Sequence, residues 1–421
     1  MSYEIKKYKY PLFMCFIGAI FYSYEYVLRV VPSVIIPNLM NDLNIDAAEV
    51  GMIASYYFLS YTPLQIFVGT ILDHFGVRKP LSFAIFCCAI GIYIFSIPTI
   101  FCAKLGMFLA GMGSAFAFVG VLKLTADWLP NKYFAIISGL TTAIGMIGAI
   151  GGETVTAVTI NKFGIENSMN YLAIIGLILM FIVFFTIKDK VMLASTKYTN
   201  EFAKLFQDLF FVIKHKQIWV NGIVGLLLYT PTTIFAGLWG VPYLQMTRNL
   251  DAHQAGVIIS MIFMGWMIGA PLSGLLSSYL KKQKIILITG ALLSFFVMMK
   301  ILYFPSDSPI TTSIYMFLLG LFSSSEILIF AVAHNIIPNK LSGTAVSLTN
   351  MLVMVSGLMH VFIGYLLEKS VHYSGSIINK AHVFAEADFQ FALAILPAGL
   401  LLAFITGFFL KENYASKTSN N

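Results

Sequence analysis

Long apolar runs, broken at short intervals by charged or turn-forming residues, set the pattern of this chain. A bilayer core about 30 Å thick is crossed by ~20 helical residues. Runs of that length predict twelve helices, at about 11–37, 50–72, 80–99, 101–126, 134–160, 168–187, 217–245, 254–280, 283–304, 310–334, 342–367 and 388–410. Unbroken stretches such as Tyr171 to Ile187 lack the short alternation of a transmembrane barrel. The expected fold is therefore an all-α membrane protein of twelve transmembrane helices.

Composition agrees. Of 421 residues 58% are hydrophobic and 11% charged, against about 45–50% and about 25% in soluble domains. That much apolar surface needs lipid as its solvent. The net charge of +7 is scattered between apolar runs, so it describes no continuous basic face for a nucleic acid. Cys15, Cys87, Cys88 and Cys102 lie in or beside apolar stretches without metal-ligand spacing, and read as small hydrophobes. The run from Leu12 to Ile36 is too long for a signal-peptide core and carries Glu25 and Arg29, so it is expected to stay in the mature protein.

Of the 26 Lys and Arg residues, 18 fall in the two termini and the even-to-odd loops and six on the opposite side. The positive-inside bias then puts both termini in the cytoplasm of a multi-pass inner-membrane protein. The segment 188–216 separates residues 1–187 from 217–421, which are expected to form two six-helix bundles. Its apolar spacing at Phe202, Leu205, Leu209 and Val212 suits a short amphipathic helix. A weak internal echo, Gly69 to Lys79 after the second helix and Gly274 to Lys284 after the eighth, lies 205 residues apart. Such a duplication places a substrate site between the halves near the bilayer midplane.

The stretch Gly69, Asp73, Gly76, Arg78 and Lys79 resembles the signature loop between helices two and three of the major facilitator superfamily. Physically, Gly69 permits close helix approach, Asp73 can cap or pair across helix ends, and Gly76 turns the chain. The resemblance implies a gating latch. It also implies a fold of two pseudo-symmetric six-helix bundles whose helices one, four, seven and ten line the cavity. There are departures: the second copy has Ser278 at the acidic position, Met107 stands where the family carries an arginine, and Glu153 replaces the proline that would complete an antiporter-like glycine pattern. Tyr24 to Ser33 and Lys123 to Pro130 are similar to a bacterial branch that includes phagosomal nutrient transporters, which implies amino acids or similar nutrients as substrates.

A charge at a helix centre costs ~2.5–3.5 kcal/mol on insertion scales, so each one needs a reason. Glu25 and Arg29 stand four residues apart on one face and can neutralise each other. With Tyr22 and Tyr26 they are the first candidate for substrate binding. A purely structural ion bridge is the alternative. Glu326, preceded by three serines and with no basic residue within a turn, is the first candidate for proton coupling. Glu153 is the second, with pairing to Arg29 as its structural reading. Lys123 either binds substrate or snorkels to water. Tyr229 and Thr230 are further candidates for substrate binding, beside Pro231, which can act as a hinge and frees a helix carbonyl for a substrate or a hydroxyl to meet. Pro32 and Pro37 are expected to loosen the end of helix one, and His360 to pack as a buried histidine. Gly148 with Gly152, and Gly265 with Gly269, predict close helix packing within a monomer.

The leading expectation is a proton-coupled secondary transporter, a symporter moving a small polar or zwitterionic metabolite such as an amino acid, small peptide or organic acid. A drug or metabolite exporter, or a non-transporting receptor on the same fold, are the alternatives. The partners expected are that small-molecule substrate, protons and membrane lipids, with no cofactor and no metal. No phosphate-binding G-x-x-x-x-G-K-[ST], H-E-x-x-H or G-x-S-x-G segment occurs, so neither an ATP-driven pump nor a hydrolytic enzyme is expected.

Overall fold

The computed structural model describes residues 2–43, 45–129, 134–189, 210–304, 308–337, 342–374, 377–378, 381–382 and 384–411. Twelve helical rods fill most of these. The first three are α1 (Ser2–Leu43), α2 (Ala47–Phe75) and α3 (Arg78–Phe95). A fourth rod, α4, runs as Ile100–Ser114 and Ala117–Trp128 around a break at Ala115 and Phe116. One continuous stretch, Phe134–Thr186, is divided by Gly164 at φ 79° into α5 (134–163) and α6 (165–186). The expected gap of several residues between these two helices is thus a single glycine corner, in a conformation that side chains resist.

The remaining rods are α7 (Lys216–Arg248), α8 (Ala252–Leu280), α9 (Lys284–Tyr303), α10 (309–336), α11 (342–374) and α12 (386–407). Between α11 and α12, Ile377–Ile378 and Ala381–His382 form a two-residue antiparallel pair. Ten stretches among the described residues are long and apolar enough to cross a membrane. The outward faces are greasy: Phe101 and Phe185 are each 73% exposed and Ile310 is 74% exposed, which only a lipid surround tolerates at this density.

Three rods contain a π-helical or 3-10 segment. Within α7, Pro231–Trp239 is a π-helical segment. In α10, Ser324–Ile327 tightens to a 3-10 turn holding Glu326, and in α11 Val355–Leu358 does the same. Such irregular turns free backbone groups inside the membrane, where they survive because side chains meet them. By contrast α1 runs without interruption through Pro32 and Pro37 to Leu43, so the expected loosening there is not seen.

Two compact units emerge. The first comprises Met1–Val191, Gly237–Ser260 and Leu358–Ala385; the second comprises Met192–Ala236, Met261–Gly357 and Glu386–Asn421. In the first unit α5 lies directly on α1, because a side-chain carbon at Gly148 would collide with the Ser23 carbonyl and one at Gly152 with Val30. In the second, Gly265 faces the Phe317 carbonyl and Gly269 faces Leu321 and Ser324, so α8 and α10 meet backbone to backbone. Both glycine pairs therefore pack helices within the chain. For Gly69, no atom of the described residues lies within 4 Å of the position its Cβ would take. The close helix approach expected at Gly69 is not seen among these residues.

The amphipathic helix anticipated in the linker falls largely outside the described residues, apart from a helical turn at 210–213. Val212 is fully buried there with Ile218, Ala333, Ile337, Ala345 and Leu348.

Candidate functional site

Helix α1 brings Glu25 and Arg29 onto one face as an i,i+4 ion pair, with Glu25 fully buried and Arg29 8% exposed. Two ions inside a membrane need more than each other. Tyr57 on α2 donates its hydroxyl to Glu25 Oε1 at 2.6 Å. The Arg29 guanidinium lies 4.5 Å from the ring centre of Tyr26, 5.3 Å from that of Tyr61 and 5.7 Å from that of Tyr57. Rings at those distances attract a cation through their electron-rich faces, by ~2 kcal/mol where water is excluded. Tyr57 and Tyr61 also stack, with centroids 5.8 Å apart.

Tyr22 completes the cluster: its ring meets Tyr26 edge-on at 5.0 Å and Phe118 of α4 at 5.2 Å. Gly145 of α5 makes the room, since a Cβ there would stand 2.6 Å from the Tyr22 ring. Four tyrosines thus surround one ion pair within the first unit. Glu25 Oε2 has no hydrogen-bond partner among the described residues, so it remains an open acceptor. Tyr57 and Tyr61 are absent from the residues the sequence singled out. Their i,i+4 spacing in an apolar run was the available signal, but hydroxyls in such runs are common and only the α1–α2 contact selects these two.

The other expected residues are placed differently. Lys123, five residues beyond Phe118, pairs with Asp127 at 2.9 Å, one turn further along α4. Glu153 is fully buried on α5, and its carboxyl meets the Ser33 hydroxyl at 2.9 and 3.0 Å. The expected Glu153–Arg29 pair is therefore corrected: Ser33, one turn beyond Arg29 on α1, occupies that position.

In the second unit, Tyr229 packs edge-on against Trp266 at 5.7 Å, and Trp266 donates to Thr232 at 2.7 Å. Pro231 lacks an N–H, so the Leu227 carbonyl loses its helical donor. Thr230 supplies the replacement, its hydroxyl donating to Leu227 at 2.7 Å. The freed carbonyl thus meets a hydroxyl, one of the two partners expected for it. Glu326 is 3% exposed, and its Oε1 finds no hydrogen-bond partner among the described residues. His360, 1% exposed, packs its ring 5.7 Å from Phe58.

The signature loop has a partner that sequence spacing could not name. Asp189, just past α6, accepts from the backbone N–H groups of Val77 at 2.6 Å and Arg78 at 3.0 Å, at the start of α3. Gly76 sits at φ 75°, and a Cβ there would fall 2.5 Å from the Asp189 carboxyl carbon. Arg78 donates from Nε to the Phe184 carbonyl at 2.6 Å and covers the Phe184 ring at 4.3 Å. Lys79 is exposed, and the Asp73 side chain lies outside the described residues. Among the described residues no group of three His, Cys, Asp or Glu side chains could hold a metal.

Long apolar rods enclosing carboxyl, guanidinium and hydroxyl side chains define a polytopic membrane protein. The chain belongs to the Major Facilitator Superfamily, whose family model matches residues 14–359, and its relatives are transporters and not enzymes. It is 31% identical over 147 residues to an uncharacterized transporter, YybO, of Bacillus subtilis, covering 33% of this chain and 32% of that one. It is 25% identical to the hexuronate transporter of the same organism, covering 65% and 64%, so the chain spans about one third and under two thirds of these relatives. Against the probable galactarate/D-glucarate transporter GudP of Escherichia coli, 22% identity extends over 85% of this chain and 87% of the relative. Among solved structures, a bacterial homologue of the human lysosomal transporter Spinster, inward-facing and unoccupied, superposes with a TM-score of 0.73 at 13% identity, covering 96% and 98%. A point mutant of the nucleoside transporter NupG does so with 0.73 at 14%, covering 94% and 99%. Those two likenesses are of fold.

Proposed function

We propose that this protein is a proton-coupled secondary transporter of small organic acids, with hydroxylated sugar acids as the first substrate class. The observation that carries this is the Arg29 guanidinium held among Tyr26, Tyr57 and Tyr61 beside Glu25. A guanidinium offers a planar fork that matches a carboxylate. Phenolic hydroxyls and the open Glu25 oxygen offer the donors and acceptors that a polyol needs. The names of the hexuronate and galactarate/D-glucarate relatives point to the same chemistry. Proton symport is supported by Glu326, a carboxyl in the 3-10 turn of α10 with an unpartnered oxygen. A second reading, a zwitterionic amino acid, is favoured by the acidic Glu25 standing beside the base.

In this reading residues 1–187 and 217–421 are the two halves, 188–216 the linker, and both termini face the cytoplasm of the inner membrane. The loop from Gly69 to Lys79, held by Asp189, acts as the latch.

The test is uptake into proteoliposomes under an inward proton gradient, comparing uronates and aldarates with neutral sugars and amino acids. Saturable accumulation of an acid sugar, lost in Arg29→Ala, is expected. Accumulation only of amino acids would select the second reading, and gradient-insensitive flux would remove the proton.

A further inference from the structure

Glu153 is enclosed on three sides within the first unit. Helix α1 presents Ser33 to its carboxyl, α5 carries it, and the first turns of α8 lie over its backbone: a Cβ on Gly256 would collide with the Glu153 carbonyl and approach the Glu153 Cβ to 3.7 Å. Both Ser33 and Glu153 are fully buried. All of this lies in the second halves of α1 and α5, with Gly256 about one helical turn past the turn between α7 and α8.

The hydrogen bonds there do not balance with an ionised carboxylate. The Ser33 oxygen is 2.7 Å from the Val30 carbonyl, and 2.9 and 3.0 Å from the two Glu153 oxygens. One hydroxyl proton cannot serve three acceptors. Donated to Val30, it leaves a Ser33 lone pair facing the carboxyl, and that contact attracts only if the carboxyl brings the missing proton. Donated to Glu153 instead, it would be the single bond among the described residues set against a wholly desolvated negative charge, which costs far more than one hydrogen bond returns.

The surrounding charges do not change this balance. On α1 the nearest cation is Arg29, engaged with Glu25. On α8, Asp251 precedes the helix and His253 stands in its first turn, and both are exposed. At the end of α7, Arg248 is half-buried, and on α5 Lys162 is exposed two turns beyond, as is Glu166 at the start of α6.

We propose that Glu153 is a proton-binding site whose neutral form is required for the first turns of α8 to dock on α5, so that proton release to the side away from the termini opens this seal. The proposal deepens the symport reading by assigning the proton that governs one gate, and it leaves Glu326 to act elsewhere. Gly256 serves as the gasket and Ser33 as the acceptor for the carboxyl proton.

The test is a distance measurement by electron paramagnetic resonance, independent of any substrate. Spin labels would replace Asn167, at the start of α6, and His253, on α8, in the full chain with its four cysteines changed to alanine. Both labelled positions are exposed and belong to the first unit. In the parent, the short-distance population should predominate at low pH and give way to a longer one as pH rises. Glu153→Gln, always neutral, should keep the short distance at every pH. Gly256→Leu should lose it at every pH with the carboxyl intact. A pH-independent distance in the parent, or a Glu153→Gln protein that still opens with rising pH, would overturn the proposal. If Glu153→Gln does not fold, the parent titration together with Gly256→Leu decides it. Absence of any solute flux with the pH response intact would sink the transport reading alone.

Discussion

Removing one partner of the Glu25–Arg29 pair separates what the pair does for stability from what it does for solute. In Arg29→Met the fully buried Glu25 keeps, among the described residues, only the 2.6 Å hydrogen bond from Tyr57. Breaking a buried pair by removing one ion costs about 3–5 kcal/mol, because the other charge is left uncompensated. Loss of the cation over the Tyr26, Tyr57 and Tyr61 rings adds up to ~2 kcal/mol. Glu25→Gln should cost about as much as the first figure, since a lone guanidinium then remains, partly eased by the same rings. The double variant Glu25→Gln/Arg29→Met removes both charges, and replacing a buried pair by uncharged groups is often close to neutral. Its destabilisation should therefore fall below the sum of the singles by ~2 kcal/mol or more, a coupling within the range measured for contacting residues. Equilibrium unfolding of the purified protein in mixed micelles measures this, with uptake into proteoliposomes measured in parallel. All three variants should be inactive in uptake although the double folds well. A double variant that transports like the parent would reduce the pair to a structural bridge, and additive destabilisation would show that the two ions do not compensate each other.

Glu326→Gln should abolish gradient-driven accumulation while sparing exchange of labelled for unlabelled solute; equal loss of both would remove its coupling role. Gly76→Ala places a side chain in a backbone region that costs about 1–3 kcal/mol outside glycine and pushes on Asp189, 2.5 Å from the new carbon. A lowered melting temperature should follow, and Asp189→Ala combined with it should relieve only the steric part. Thr230→Val strips the donor from the Leu227 carbonyl, with an expected loss of about 1–3 kcal/mol in unfolding free energy. An unchanged midpoint would mean that another group meets that carbonyl.

Twelve helices, their membrane setting and the i,i+4 pairing of Glu25 with Arg29 follow from the order of residues alone, because a helix has a fixed rise and a fixed angular repeat. The packing role of Gly148 and Gly265 was also legible, since missing side chains at a four-residue interval mark a close approach whatever the partner. What the linear order could not supply were partners from other helices. Tyr57 and Tyr61 became part of the Arg29 environment only through the way α2 lies beside α1, and Asp189 met the Gly76 loop across more than a hundred residues. Glu153 shows the limit most clearly. Depth along the membrane suggested Arg29 as its partner, but the rotation of α5 about its own axis turned the carboxyl toward Ser33 instead. Depth is a one-dimensional quantity written in sequence, whereas the facing of a helix is set by how all its neighbours pack.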